Sequence, residues 1–132
     1  MSIFPTRILL ATDGSEEATF AARTAVDLAK KTSSELHVVR VWPIVQPAQI
    51  EQEARTLLNE QVEEIKAAGG AIAQAHLRMG GAAEEIVKLS EEIGASLVVI
   101  GSRGLGGMRR ARMGSVSKSV VRHSHCPVFG GT

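Results

Sequence analysis

The sequence predicts an α/β domain: a mostly parallel sheet with helices on both faces. Three observations carry this. Five short apolar runs alternate with four stretches of helical period along the whole chain. The run Leu97–Ile100 (LVVI) is apolar without a break, as in a strand covered on both faces. The length, 132 residues, is that of one ordinary domain, and no linker or repeat divides it.

Each element follows in order. Arg7–Thr12 (RILLAT) reads as a buried strand that ends in the turn Asp13-Gly14-Ser15. Ser15 is placed to cap a helix whose first turn carries Glu16 and Glu17, where the dipole favours negative charge. Ala18, Ala22, Ala25 and Ala29, with Val26 beside them, give that helix a narrow face that can lie close on a sheet. Leu36–Trp42 (LHVVRVW) is a second strand, stopped by Pro43. From Ala48 to Ala68, Ile50, Ala54, Leu57, Leu58, Gln61, Ile65 and Ala68 keep a 3.6 period, and Gly69-Gly70 ends the helix. Ile72–Leu77 alternates loosely and is expected as the third strand. After Gly80-Gly81 a helix marked by Ala83, Ile86, Val87, Ser90 and Ile93 runs to Gly94. The fourth strand, Leu97–Ile100, leads into a glycine-rich loop, Gly101–Gly114. A helix over about Ser115–Ser124 and a short strand at Pro127–Phe129 complete the chain.

Composition excludes several classes. Hydrophobic residues make up 44% and charged residues 22%, so the chain has the material for a core and is not a disordered one. No run approaches the length a membrane-spanning helix needs, and the N-terminus lacks the pattern of a secretory signal. A single cysteine, Cys126, forms no internal disulfide and fits a reducing cytoplasm. The aromatics, Phe4, Phe20, Trp42 and Phe129, are too few and too scattered to stack on single-stranded nucleic acid.

Charge is placed unevenly. The first 92 residues hold nine Lys and Arg against fourteen Asp and Glu, a net −5. The last 40 hold Arg103, Arg109, Arg110, Arg112, Lys118 and Arg122 and no acid, a net +6. A positive pole of this kind favours an anionic partner, although a solvated basic loop has the same composition.

Residues 101–115 read GSRGLGGMRRARMGS, with five glycines after a buried strand and before a helix. Glycine lets backbone N–H groups approach a ligand with no Cβ in the way, and the helix start adds unpaired N–H groups and its positive dipole end. Ser115 and Ser117 add hydroxyls. A phosphate chain suits such a loop. Hydrogen bonds to a charged group contribute about 1.5–3 kcal/mol each, so a few of them reach micromolar affinity. The loop is no Walker A motif, because Gly-Lys-Ser/Thr is absent, and the dinucleotide fingerprint is missing after the first strand, where the chain reads ATDGSEE. In a parallel sheet, ligands sit outside the carboxyl ends of the strands at the point where strand order reverses. That brings Asp13, Val41-Trp42 and the loop around one crevice.

The spacing Gly101-x2-Gly104-x9-Gly114-Ser115 resembles the nucleotide-binding motif of the universal stress protein family. RILLATDGS, VVRVW, ASLVVIGSRGLGG and SVVRHSHCPV resemble further segments of that family, so the similarity runs through the chain. The resemblance implies a three-layer, Rossmann-like fold of the adenine nucleotide alpha hydrolase type, with a five-stranded parallel sheet ordered 3-2-1-4-5. It implies ATP binding. Ala11, Thr12 and Asp13 would border the adenosine end, and Val41 would meet the adenine through its backbone. Ile100 and Gly101 would lie along the nucleoside. Gly104, Gly114, Ser115, Val116 and Ser117 would hold the phosphates, with Arg103 beside them. Mg²⁺ would accompany the phosphates, held largely by their oxygens and by water. Asp13 is the one nearby carboxylate, and it either joins the metal or caps its own turn. The family also implies a homodimer, although the last strand here reads CPVFGGT and is expected to collapse at Gly130-Gly131.

Other functions remain open at this stage. A phosphorylation receiver would need an aspartate after the third strand, where the chain has Leu77-Arg78-Met79-Gly80. Efficient ATP hydrolysis would need a group that positions water, and apart from Asp13 none is evident near the loop, which leaves at most a slow ATPase. A protein-interaction module of the same fold, without nucleotide, is the other alternative. His123-Ser124-His125-Cys126 could look like a metal cluster, but a helix-terminal histidine favoured by the dipole is the simpler account. His37 is expected to be a satisfied or surface histidine, and Met108 and Met113 to pack over a base or over the core edge.

Overall fold

A computed structural model of the chain describes residues 7–12, 16–42, 48–101 and 115–131. In chain order these form β1 (Arg7–Ala11), α1 (Glu16–Thr32), β2 (Glu35–Trp42), α2 (Ala48–Ala67) and β3 (Gln74–Met79). They continue as α3 (Ala82–Ile93), β4 (Leu97–Gly101), α4 (Ser115–His123) and β5 (Val128–Gly131). The strands make one parallel sheet in the order β3-β2-β1-β4-β5, as expected. Right-handed crossovers then fix which face each helix covers. The chain moves outward from β1 to β3 through α1 and α2, and in the other direction to β5 through α3 and α4.

The period-2 alternation of the strands divides the core accordingly. Ile8 and Leu10 of β1, Leu36 and Val38 of β2 and Val99 of β4 pack with Ala21, Ala22, Ala25, Val26 and Ala29 of α1 and with Leu58 and Ile65 of α2. Leu9 and Ala11, Val39, Val98 and Ile100 point the other way, onto Ile86 and Leu89 of α3 and Val120 of α4. The alanine stripe of α1 lets that helix lie close on the sheet. On α2 the apolar period is less complete: Leu58 is buried, whereas Leu57 is 42% exposed and lies off the buried face. α3 ends at Gly94 in the left-handed conformation (φ 68°), which a residue without Cβ adopts at no steric cost.

Two boundaries differ from expectation. β3 is Gln74–Met79, two residues later than Ile72–Leu77, because its register with β2 pairs His37 with Gln74 and Trp42 with Met79. Gly80 N–H extends the ladder to Trp42 O at 2.8 Å. β3 is an edge strand whose residues are all exposed or half-buried, so its alternation marks the ends weakly. At the other edge, β5 does not collapse at Gly130-Gly131. It runs through both glycines, which pair with Ile100 and Gly101 of β4. Backbone pairing there replaces the side-chain packing that strand propensity measures.

β2 and β3 are also joined by a polar chain. His37 is buried, and its Nε2 lies 3.2 Å from Glu35 Oε1 while its Nδ1 lies 3.4 Å from His76 Nε2. The carboxylate only accepts, so a neutral His37 donates from Nε2 and accepts at Nδ1 from His76. Burial, then the neighbouring charges of His37 and Arg78, hold the His76 pKa below its ordinary 6.5, with Glu92 opposing. Glu35 is held low by its hydrogen bonds to His37 and Arg7, and Glu92 by its hydrogen bond to Arg78. The unfolded chain therefore takes up these protons more readily than the native one. The His76 contribution is undiminished above 6.5 and is lost as pH falls toward its lower native value. The two glutamates lose theirs as pH falls below 4.5 through their own native values. Urea midpoints measured between about pH 8 and about pH 5 should fall toward acid, and His76→Gln should flatten that stretch of the curve.

Candidate functional site

Strand order reverses between β1 and β4, whose chains leave in opposite directions across the sheet. Ala11 ends β1 and is in register with Val39 on one side and Ile100 on the other. Ala11 and Ile100 are both buried, so the floor beneath this rim is apolar and close-packed. The small Ala11 and the terminal Gly101 keep Cβ bulk low where the strands stop. Thr12 continues the ladder for one more residue, donating its N–H to Val39 O at 3.0 Å. Its hydroxyl donates to Gln61 Oε1 of α2 at 2.8 Å, and both side chains are buried. Val41, near the end of β2, is half-buried against the α3–α4 side of the core.

α4 supplies the other wall. It connects the carboxyl end of β4 to the amino end of the parallel β5, so its first turn starts at the same rim as Thr12 and Gly101. Val120, fully buried beside Ile100 and Ala11, anchors it. Ser115, Val116 and Ser117 form its first turn, where N–H groups lack intrahelical partners. No acidic residue occupies that turn, while α2 and α3 carry Glu51 and Glu84 with Glu85 in theirs. No carboxylate from within this turn therefore offsets the positive end of the α4 dipole. Val116 is 38% exposed, and Lys118 and Arg122 are also exposed on this helix.

Of the residues singled out by sequence, Ala11, Thr12, Val41, Ile100, Gly101, Ser115, Val116 and Ser117 lie on strand ends and a helix start that share this rim. Asp13, Arg103, Gly104 and Gly114 lie outside the described residues, as do Met108, Met113 and the PIVQP segment. In the sequence, Gln61 stands out only as one member of the α2 periodicity. Its signal was there: a polar side chain in a stripe otherwise made of Ala54, Leu58 and Ile65.

The His-rich segment has partners of its own. His123 Nδ1 lies 2.9 Å from Ser119 O in the last turn of α4. His125 pairs with Glu91 at 2.6 Å, and Cys126 Sγ lies 3.5 Å from Ser124 Oγ. Among the described residues, no three or more His, Cys, Asp or Glu side chains gather as metal ligands. None of the described helices is long and apolar enough to cross a membrane.

Comparison with known proteins agrees with the fold. The model of the universal stress protein family matches residues 5–129. A putative universal stress protein from Staphylococcus aureus (strain USA300) is 37% identical over 134 residues, spanning 92% of this chain and 81% of its own. The solved structure of a universal stress protein from Archaeoglobus fulgidus superposes with a TM-score of 0.82 at 25% identity, covering 98% of this chain and 96% of that one. A universal stress protein crystallised in complex with cAMP superposes at 0.78 with 26% identity, covering 98% of both chains. With this sheet order, a family model that matches from the first strand into the last and relatives 37% identical along nearly the whole chain, the chain belongs to the universal stress protein family.

Proposed function

We propose that this protein binds an adenine nucleotide, ATP in the first place, at the carboxyl rim of β1 and β4 and acts as a nucleotide-dependent regulatory module. The observation that carries the reading is the acid-free first turn of α4 at the same end of the sheet as Ala11, Thr12 and Gly101. The similarity to a relative crystallised with cAMP supports it. The nucleoside would lie against Ala11, Thr12, Val41, Ile100 and Gly101. The phosphates would take the N–H groups of Ser115, Val116 and Ser117, with Asp13, Arg103, Gly104 and Gly114 completing the cradle. Such a donor set suits phosphate oxygens, which only accept. A Mg²⁺ ion fits the same site as a companion of the phosphates, retaining much of its water, since carboxylates are scarce there. It would neutralise phosphate charge.

The protein's own part is to bind and orient. The first turn of α4 aims its N–H groups at the anion, and the apolar floor excludes water from below. Binding would order the Gly101–Gly114 segment and fix the surface a protein partner sees. A homodimer in the cytoplasm belongs to the same reading. Calorimetry with ATP, ADP, AMP and cyclic AMP tests it. Micromolar binding that strengthens with the phosphate chain is expected. Absence of heat with all four would overturn it in favour of an interaction module that uses no nucleotide.

A further inference from the structure

We propose that Gln61 is a positioning residue for the nucleotide site: from α2 it holds Thr12, and through Thr12 the point where the chain leaves β1. The inference rests on the adenine-nucleotide reading of that rim.

Gln61 stands where the packing of α2 calls for an apolar side chain. Leu58, three residues before it, and Ile65, four after, are buried at 4% and 3% exposure, and Gln61 itself is 7% exposed. Helical spacing puts all three on one face against the sheet. An amide there must be hydrogen-bonded or it destabilises the fold. Its Oε1 accepts from Thr12 Oγ1 at 2.8 Å, across 49 residues of sequence. Thr12 is equally buried and is the last described residue before Asp13.

Stability alone does not account for this pair. Two buried hydrogen-bonding partners can be exchanged for apolar groups of the same shape at nearly no cost. A directional bond adds a single rotamer and a single register. The backbone of Thr12 is held from one side by Val39 O, and its side chain from the other by Gln61. The first bond lies within the sheet and the second crosses from the sheet to the helix layer, so together they set both the height and the rotation of residue 12. Everything that follows, beginning with Asp13, leaves from that fixed point. α2 thereby contributes to a ligand site that it does not itself line.

The test combines nucleotide-free and nucleotide-bound measurements on the full chain, using wild type, Gln61→Leu and Gln61→Glu. Leucine keeps the volume and removes the acceptor, while glutamate keeps an acceptor oxygen. Amide hydrogen exchange without nucleotide should quicken in Gln61→Leu across residues 12–16 by about tenfold, with the remainder of β1 unchanged. ATP affinity, measured well below the melting temperature, should fall about tenfold, and Gln61→Glu should recover most of it. Unchanged exchange at residues 12–16 overturns the tether, whatever the wild type binds. Exchange that quickens equally throughout the sheet, with affinity intact, makes Gln61 an ordinary core residue and also overturns it. A wild type with no affinity for ATP overturns the proposed function instead, and with it the assignment of Gln61 to a nucleotide site.

Discussion

Replacing Leu9 with alanine lowers the free energy of unfolding by about 3–5 kcal/mol. Leu9 is fully buried in the central strand, paired on one side with His37 and on the other with Val98. It shares a core cluster with Ile86 and Leu89 of α3 and Val120 of α4, so two helices border the hole that truncation leaves. Neighbours tied into a sheet on both sides collapse poorly into a cavity, which puts the loss in the upper part of the usual range. Domains of this size have about 5–15 kcal/mol in total, so the variant should be near the edge of folding at 37 °C. Leu57→Ala is the matching control. Leu57 belongs to the apolar period of α2 in the sequence but is 42% exposed, and its loss should cost less than about 1 kcal/mol. Urea midpoints with unchanged m-values would report both, and equal losses would contradict the division of the core described above.

The contrast between Leu9 and Leu57 also shows what was legible beforehand. Leu9 sits in the unbroken apolar run Ile8–Ala11, the pattern of a strand covered on both faces. The alanine spacing of α1 and the strict alternation of strands and helices were equally direct, because each reflects packing within one element or between chain neighbours. Leu57 and Leu58 cannot both face a sheet, and a period alone does not choose between them. β3 was displaced because an edge strand is only partly covered and its ends are set by β2, not by its own residues. β5 continued where propensity argued against it, since its glycines need only backbone pairing with Ile100 and Gly101.

For the candidate site the division is the same. The strand ends and the start of α4 were legible as soon as the alternation was, because topology alone brings them to one rim. The long-range pairs were not. Thr12 with Gln61 and His37 with His76 are joined only by the folded sheet and its α2 layer. Nothing in the local sequence of one names the other. The one available hint was chemical: a glutamine where the α2 stripe otherwise holds Ala, Leu and Ile.

Ser117→Glu should raise stability and abolish most nucleotide affinity, two effects of opposite sign from one side chain. Ser117 lies in the first turn of α4, which has no acidic residue. A carboxylate there meets the positive end of the dipole and the unpaired N–H groups, which stabilises a helix by about 0.3–1 kcal/mol. Those same groups are the ones assigned to the phosphates. The new carboxylate would occupy them as an internal anion and would repel the incoming one. Losing one charge-assisted hydrogen bond weakens binding by about 1.5–3 kcal/mol, or roughly ten- to a hundredfold, before repulsion is added. A defect caused by unfolding would lower the melting temperature and the affinity together, so the opposite signs identify competition for the helix start. Ser117→Ala separates the hydroxyl from the backbone, since it removes one donor, adds no charge and should weaken ATP binding by about tenfold or less. If the glutamate variant is stabilised yet binds ATP as the wild type does, the phosphates are not held at α4, and the basic residues of the last 40 positions would have to attract their anion elsewhere.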